Sequence, residues 1–282
     1  MDVTLVSIPH GPETLAGTLA TPEGKPLGCL VLVHGFLSSR FEVAEAAERL
    51  AERGWVALAI DFTGHGGSTG PRGRTGRAWM VADARRAGAF LREQGFEAPL
   101  GIVGHSTGGP MALAVLAEAE EFKAGAVVAP LRTLRHEMTS LERGAVPLLG
   151  RVSKAATRLG LPPIQFPYRY AKAYDRLFDD QAAAARARER GFLQKTASLA
   201  WVDEGLSVDG EAWARTVAKP VLVIVATHDR VVAPENSRAV YKALAGDKRL
   251  VELPTGHSVF GDTRGAEAVA AVDRWFREKL HP

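Results

Sequence analysis

The sequence predicts an α/β protein with a mostly parallel, doubly wound sheet and helices on both of its faces. Three observations carry this. Apolar runs of strand length alternate with helical patterns through residues 30–128 and again through 221–280, the alternation that builds parallel sheets. A single stretch between them, 131–215, breaks the pattern. Gly104-His105-Ser106-Thr107-Gly108 lies where an apolar run turns into an apolar helix, the strand–turn–helix context that a G-x-S-x-G nucleophile requires.

The chain opens with two alternating segments, Asp2 to Ile8 and Thr14 to Ala20, joined at Gly11-Pro12 in the pattern of an antiparallel hairpin. Leu30 to Val33 is uniformly apolar, as a strand buried on both faces must be. Val43, Ala46, Ala47, Leu50 and Ala51 recur at helical spacing, and a second buried strand follows, Trp55 to Ile60. A helix over Arg77 to Gln94 leads to the strand Leu100 to Val103. The helix after Ser106, Met111 to Ala117, is apolar all round and so deeply buried. Pro110 falls in its first turn, where a missing N–H costs nothing. Ala124 to Val128 is the last strand before the break.

Residues 131–215 hold helical patterns such as Ala182 to Arg190, with Trp201 and Trp213. They also hold a Pro and aromatic cluster: Pro162, Pro163, Phe166, Pro167, Tyr168, Tyr170, Tyr174 and Phe178. The alternation returns with Val221 to Ala226, a helix near Ser237 to Leu244, the strand Leu250 to Leu253 and an amphipathic helix, Gly265 to Leu280. The expected division is a core of residues 1–130 and 216–282, with a helical lid, 131–215, inserted between core strands 6 and 7. Such an insertion sits at the carboxyl edge of the sheet, where open sheets bind ligands. The aromatic cluster either lines a pocket for an acyl chain or aromatic acid or forms the lid's own small core, and the second reading is preferred.

With 282 residues, 46% of them hydrophobic, the chain can bury a sizeable core. No window approaches the ~20 apolar residues of a membrane span, and Met1-Asp2-Val3-Thr4 does not begin a signal peptide. The single cysteine, Cys29, at the start of an apolar strand, reads as a buried thiol. These features point to a cytoplasmic protein. The insertion carries 14 Lys and Arg against 10 Asp and Glu, a balance that either steers anionic substrates or, the preferred reading, belongs to solvated helix faces. No nucleic-acid-binding module is visible. No His, Cys or carboxylate cluster has ligand spacing, so neither a metal nor an organic cofactor is expected.

A serine hydroxyl is a poor nucleophile at neutral pH and needs a general base, itself oriented by a carboxylate. Asp229 follows the strand ending near Thr227, and His257 follows the strand ending at Leu253. The order Ser106, Asp229, His257 is the one this architecture uses. Asp203, Asp209, Asp247 and Asp262 compete for the carboxylate role, but none directly follows a predicted core strand. Among the other histidines near strand ends, His105 adjoins the serine and points away from it, His65 pins its own loop, and His34 bonds backbone groups; His228 also lies near a strand end. An oxyanion needs two preorganised N–H donors. Thr107, after the nucleophile, supplies one, and Phe36, in His34-Gly35-Phe36-Leu37, supplies the other.

Together, Leu32-Val33-His34-Gly35-Phe36, Asp61-Phe62-Thr63-Gly64-His65-Gly66-Gly67-Ser68, Gly104 to Gly109, the Asp229 loop and His257 make the chain resemble the α/β-hydrolase superfamily. Within it, the chain is most similar to serine esterases that include bacterial monoacylglycerol lipases and cinnamoyl or feruloyl esterases. The resemblance implies triad roles for Ser106, Asp229 and His257, oxyanion roles for Phe36 and Thr107, and a small-molecule acyl ester as substrate. No His-Gly-Gly-Gly segment is present, which disfavours the hormone-sensitive-lipase branch. A serine nucleophile disfavours dehalogenases and epoxide hydrolases. The Gly-His-Ser-Thr-Gly-Gly string also resembles cofactor-free haloperoxidases. Thioester or amide hydrolysis, acyl transfer, carbon–carbon bond hydrolysis and a slow-turnover receptor use the same site and remain alternatives.

Overall fold

The computed structural model describes residues 1–133, 135, 140–167 and 173–281. In chain order the elements are β1 (Asp2–His10), β2 (Glu13–Thr21), β3 (Gly28–Val33), α1 (Ala44–Ala51), β4 (Trp55–Ile60), α2 (Arg77–Glu93), β5 (Leu100–His105), α3 (Gly108–Glu118) and β6 (Phe122–Val128). Then come α4 (Ser140–Arg158), β7 (Gln165–Pro167), α5 (Ala173–Leu177), α6 (Gln181–Arg190), β8 (Thr196–Ser198), α7 (Val202–Leu206) and α8 (Gly210–Ala214). The chain closes with β9 (Val221–Ala226), α9 (Pro234–Ala243), β10 (Lys248–Leu253) and α10 (Gly265–Leu280).

Eight strands form one sheet in the order β1-β2-β4-β3-β5-β6-β9-β10. β1 pairs antiparallel with β2, and β2 antiparallel with β4; every other pairing is parallel. The predicted α/β sheet with a hairpin at one edge is therefore the observed one. Side chains alternate between faces of a strand, and here both faces are covered. Val31, Val33, Val56, Leu58, Ile60, Val223 and Val225 pack beneath α2, α3 and α9. Their neighbours Leu30, Leu32, Trp55, Ala57, Leu222 and Ile224 pack beneath α1 and α10. This two-sided burial is why these runs are continuously apolar. Two buried indoles find acceptors as well: Trp55 Nε1 donates to Asp273 at 2.8 Å, and Trp275 Nε1 to the Gly125 carbonyl at 2.9 Å.

Between β6 and β9 the chain leaves the sheet and runs through α4 to α8 and the two-stranded ribbon of β7 and β8. Tyr174, Leu177, Phe178, Ala183, Ala184, Ala187 and Phe192 form a small core of their own there. Tyr174 and Phe178 of the aromatic cluster thus pack inside the insertion, while Tyr168 and Tyr170 lie outside the described residues. The end of the insertion behaves differently, since Val208, Trp213 and Ala214 join the main core on the α3 face.

Candidate active site

Ser106 stands between β5 and α3 with φ +54°, a left-handed backbone that costs a residue other than glycine of order 1–3 kcal/mol. Hydrogen bonds hold the turn: Ser106 N–H to the Val128 carbonyl at 2.9 Å, and Gly109 and Leu131 N–H to the Ser106 carbonyl at 3.0 and 3.2 Å. The motif glycines answer to close approach. A Cβ on Gly104 would fall 2.1 Å from the Gly108 carbonyl oxygen, and one on Gly108 would fall 2.6 Å from that of His34.

His257 lies in the loop after β10, and its Nε2 is 3.0 Å from Ser106 Oγ. Its Nδ1 is 2.6 Å from Oδ2 of Asp229, in the loop after β9. The other oxygen of Asp229 accepts N–H bonds from Val231 and Val232 at 2.7 and 2.8 Å. Both side chains are buried. Burial opposes a charge on Asp229, but His257 and the two N–H donors outweigh it and hold the carboxyl below its ordinary range. Three residues 151 positions apart in sequence at the extreme are thus brought into one chain of hydrogen bonds.

Phe36 follows Gly35 in the loop after β3, and Thr107 stands at the N-terminal end of α3. Neither main-chain N–H has an acceptor among the described residues. The Phe36 loop runs hard against the nucleophile: a Cβ on Gly35 would lie 3.0 Å from Ser106 Cβ and 3.4 Å from Oγ. The α3 dipole adds positive potential at Thr107.

The remaining histidines are held elsewhere. His34 donates from Nδ1 to the Gly35 carbonyl at 2.8 Å and accepts the Phe62 N–H on Nε2 at 3.2 Å. Burial lowers its basicity. His65 bonds the Thr63 carbonyl within its own loop at 3.1 Å, and burial pushes its pKa down to about 3. His105 turns away from Ser106, with Nε2 donating to the His257 carbonyl at 2.7 Å. His228 pairs with Asp179 of the insertion at 2.7 Å. Of the competing acids, Asp209 caps α8, Asp247 pairs with Lys279, and the side chain of Asp203 lies outside those described.

Glu42, to which the sequence assigned no part, and Asp262, weighed there only as a competing carboxylate, both lie near the site. Asp262 accepts the N–H groups of Asp179, Asp180 and Gly256 at 2.7, 3.0 and 2.9 Å, tying the insertion to the residue before His257. Glu42 is buried beneath Ser106, with Oε2 accepting the Gly35 N–H at 2.7 Å. Nothing local in sequence marks either. The insertion is tied to other sheet-edge loops too. Gln194 N–H donates to the Leu37 carbonyl at 2.7 Å and its side chain to that of Gly64 at 3.2 Å. Arg230, next to Asp229, bonds the Asp175 carbonyl at 2.9 Å. Phe178 and Phe192 help wall a cavity of about 230 Å³ beside Ser258. Among the described residues no cluster of His, Cys, Asp and Glu could hold a metal ion, and no helix is long and apolar enough to cross a membrane.

A family model described as serine aminopeptidase, S33 matches residues 24–264. The monoacylglycerol lipase of Mycolicibacterium smegmatis is 26% identical over 267 residues, covering 92% of this chain and 91% of that protein. Among solved structures, the alpha/beta hydrolase GrgF from Penicillium superposes with a TM-score of 0.84 at 19% identity, covering 99% of each chain. A soluble variant of monoglyceride lipase from Saccharomyces cerevisiae, bound to a substrate analogue, superposes with a TM-score of 0.82 at 15% identity, covering 100% of this chain and 97% of that one. These structural likenesses establish the α/β-hydrolase fold.

Proposed function

The chain belongs to the serine aminopeptidase, S33 family and is a lipase-like serine hydrolase; on that premise we propose that it cleaves carboxylic esters through Ser106, His257 and Asp229. The observation that carries this reading is the continuous hydrogen-bond path from Asp229 Oδ2 through the His257 ring to Ser106 Oγ. In the proposed reaction Ser106 Oγ attacks the acyl carbonyl while its proton passes to His257 Nε2. The carbonyl electrons move onto oxygen, where the Phe36 and Thr107 N–H groups stabilise the oxyanion. Collapse breaks the ester bond, and the alcohol leaves with the proton from His257. Water, deprotonated by His257, then releases the acid and restores Ser106. Asp229 keeps the proton of the free base on Nδ1, so that Nε2 faces the serine ready to accept.

The substrate class assigned is an acyl ester of a small alcohol, of the monoacylglycerol kind named for the mycobacterial relative. Residues 131–215 act in this proposal as a lid over the carboxyl edge of the sheet, a role supported by their bonds to the loops of Leu37, Gly64 and Gly256. The insertion also leaves Leu148, Leu149, Val152, Leu159 and Leu161 exposed, a surface that suits an amphiphilic substrate better than a small charged one.

Hydrolysis of monoacylglycerols and of p-nitrophenyl esters from acetate to palmitate, with Ser106→Ala in parallel, tests the reading. Wild type turns over many times, and Ser106→Ala loses on the order of 10⁴ to 10⁶ in kcat. Stoichiometric release alone from wild type would mark a receptor with slow turnover. Equal rates from both proteins would remove Ser106 from the mechanism.

A further inference from the structure

With Ser106 and His257 taken as the reacting groups, two buried ionisable side chains directly beneath them have no part in the chemistry. The Glu42 side chain is 5% exposed and that of His105 is 1% exposed. Glu42 Oε2 accepts the Gly35 N–H at 2.7 Å and stands 3.2 Å from His105 Nδ1. His105 Nε2, on the opposite side of the ring, donates to the main-chain carbonyl of His257 at 2.7 Å. The two imidazoles lie with centroids 5.0 Å apart. One path therefore joins the loop after β3, which carries Phe36, to the elbow after β5, and the elbow to the loop after β10, which carries His257.

Burying such a pair is expensive unless its hydrogen bonds are made and used. Packing alone does not call for it, because the neighbouring positions Val43, Ala46 and Ala47 are apolar and buried. What the pair does that an apolar side chain could not is bond main-chain groups in two loops that belong to separate strands, on either side of Ser106. We propose that Glu42 and His105 are positioning residues that fix the separation between the oxyanion loop and the His257 loop across Ser106. This rests on the roles assigned to Ser106 and His257 above. The bonds of the pair go to main-chain groups and not to the reacting atoms, so its loss should fall on the chemical step. A displacement of about 1 Å at a catalytic centre costs on the order of 10²-fold in rate.

The test separates hydrogen bonding from filling space. Glu42→Leu keeps the bulk but leaves the Gly35 N–H without its acceptor and His105 Nδ1 without its ion-pair partner. Glu42→Gln keeps the network in neutral form: its amide oxygen accepts from Gly35, its amide N–H donates to Nδ1, and His105 retains Nε2–H for the His257 carbonyl. With p-nitrophenyl butyrate, Glu42→Leu and His105→Phe should each lower kcat by ~10²-fold with KM within about threefold. Glu42→Gln should stay within about fivefold of wild type, and the Glu42→Leu/His105→Phe double variant should be no slower than the slower single one, because the two act as a unit. If Glu42→Leu yields no folded protein, His105→Phe and Glu42→Gln decide. A kcat near wild type for either apolar variant overturns the proposal, as does Glu42→Gln falling as low as Glu42→Leu, or losses that multiply in the double variant. Ser106→Ala in the same assay keeps the two readings apart: if it is active, the nucleophile assignment fails; if it is inert while Glu42→Leu is fully active, only the positioning role fails.

Discussion

Asp229 divides two tasks between its two oxygens. Oδ1 takes the N–H groups of Val231 and Val232, which fixes the carboxylate on its own loop, and Oδ2 takes His257 Nδ1. Asp229→Asn should separate these tasks. The amide oxygen can keep the two main-chain bonds, so the loop holds its shape. The amide N–H₂ then faces Nδ1, which must become an acceptor, and the ring proton moves to Nε2, where it opposes deprotonation of Ser106. The expected loss is ~10⁴ in kcat at neutral pH, with a thermal midpoint close to wild type. Equal loss of midpoint and activity would instead make Asp229 a structural residue. The same local logic separates what could be read from sequence at this scale from what could not. Ser106 announces itself through its flanking glycines, and Asp229 and His257 through their places after apolar strands. Glu42 and Asp262 work through contacts with loops far away in the chain, His105 in one case and Asp179 in the other, and no spacing encodes those.

At the scale of elements, strands were legible because most are buried on both sides, so Leu30 to Val33 and Trp55 to Ile60 carry no polar interruption. Their ends were less so. β5 runs to His105 because β6 pairs with it that far, and α9 begins at Pro234, where proline suits a first helical turn. The helix α4 was not anticipated: Pro147 interrupts its pattern, and Leu148, Leu149 and Val152 face solvent, so their spacing points to no core. Near the site the insertion is held to the core by polar ties, of which Asp262 makes two, to the Asp179 and Asp180 N–H groups, while a third bond holds Gly256 in its own loop. Asp262→Ala removes all three acceptor bonds at once and leaves their N–H groups to find water. Amide hydrogen exchange should quicken at least ~10-fold at Asp179, Asp180 and Gly256 while sheet amides such as that of Ile224 keep wild-type protection. Unchanged exchange at those three amides would show that the tie lies elsewhere.

For the whole molecule, the buried titratable groups divide the response to acid into two windows. His65 is held neutral by burial down to about pH 3, and burial lowers His34 as well. In the unfolded chain both take up a proton near their ordinary value of 6.5. The unfolded state therefore binds more protons below that pH, and stability falls as pH falls, by ~1.4 kcal/mol per pH unit for each fully titrating group. Carboxylates open the second window. Burial opposes the charge of Glu42, yet His105 and the Gly35 N–H hold its pKa at about 2. Asp229 and Asp262 are likewise lowered against their burial, by His257 and by main-chain N–H groups respectively. Their contributions are complete above the ordinary carboxylate values of 3.8 and 4.5 and vanish as pH falls through the lower folded values. His105 runs the other way: burial disfavours its charge but Glu42 prevails and raises its pKa, so its contribution is present in acid and fades as pH rises through the folded value. The thermal midpoint should decline from about pH 6.5 to 4.5 and more steeply below, with the upper slope carried by His34 and His65, while His105 adds its slope only above pH 6.5. His65→Asn, whose amide can still bond the Thr63 carbonyl, should flatten the upper window and leave the lower one in place. A midpoint in His65→Asn that declines between pH 6.5 and 4.5 as steeply as in wild type would mean that His65 is not the buried neutral group responsible.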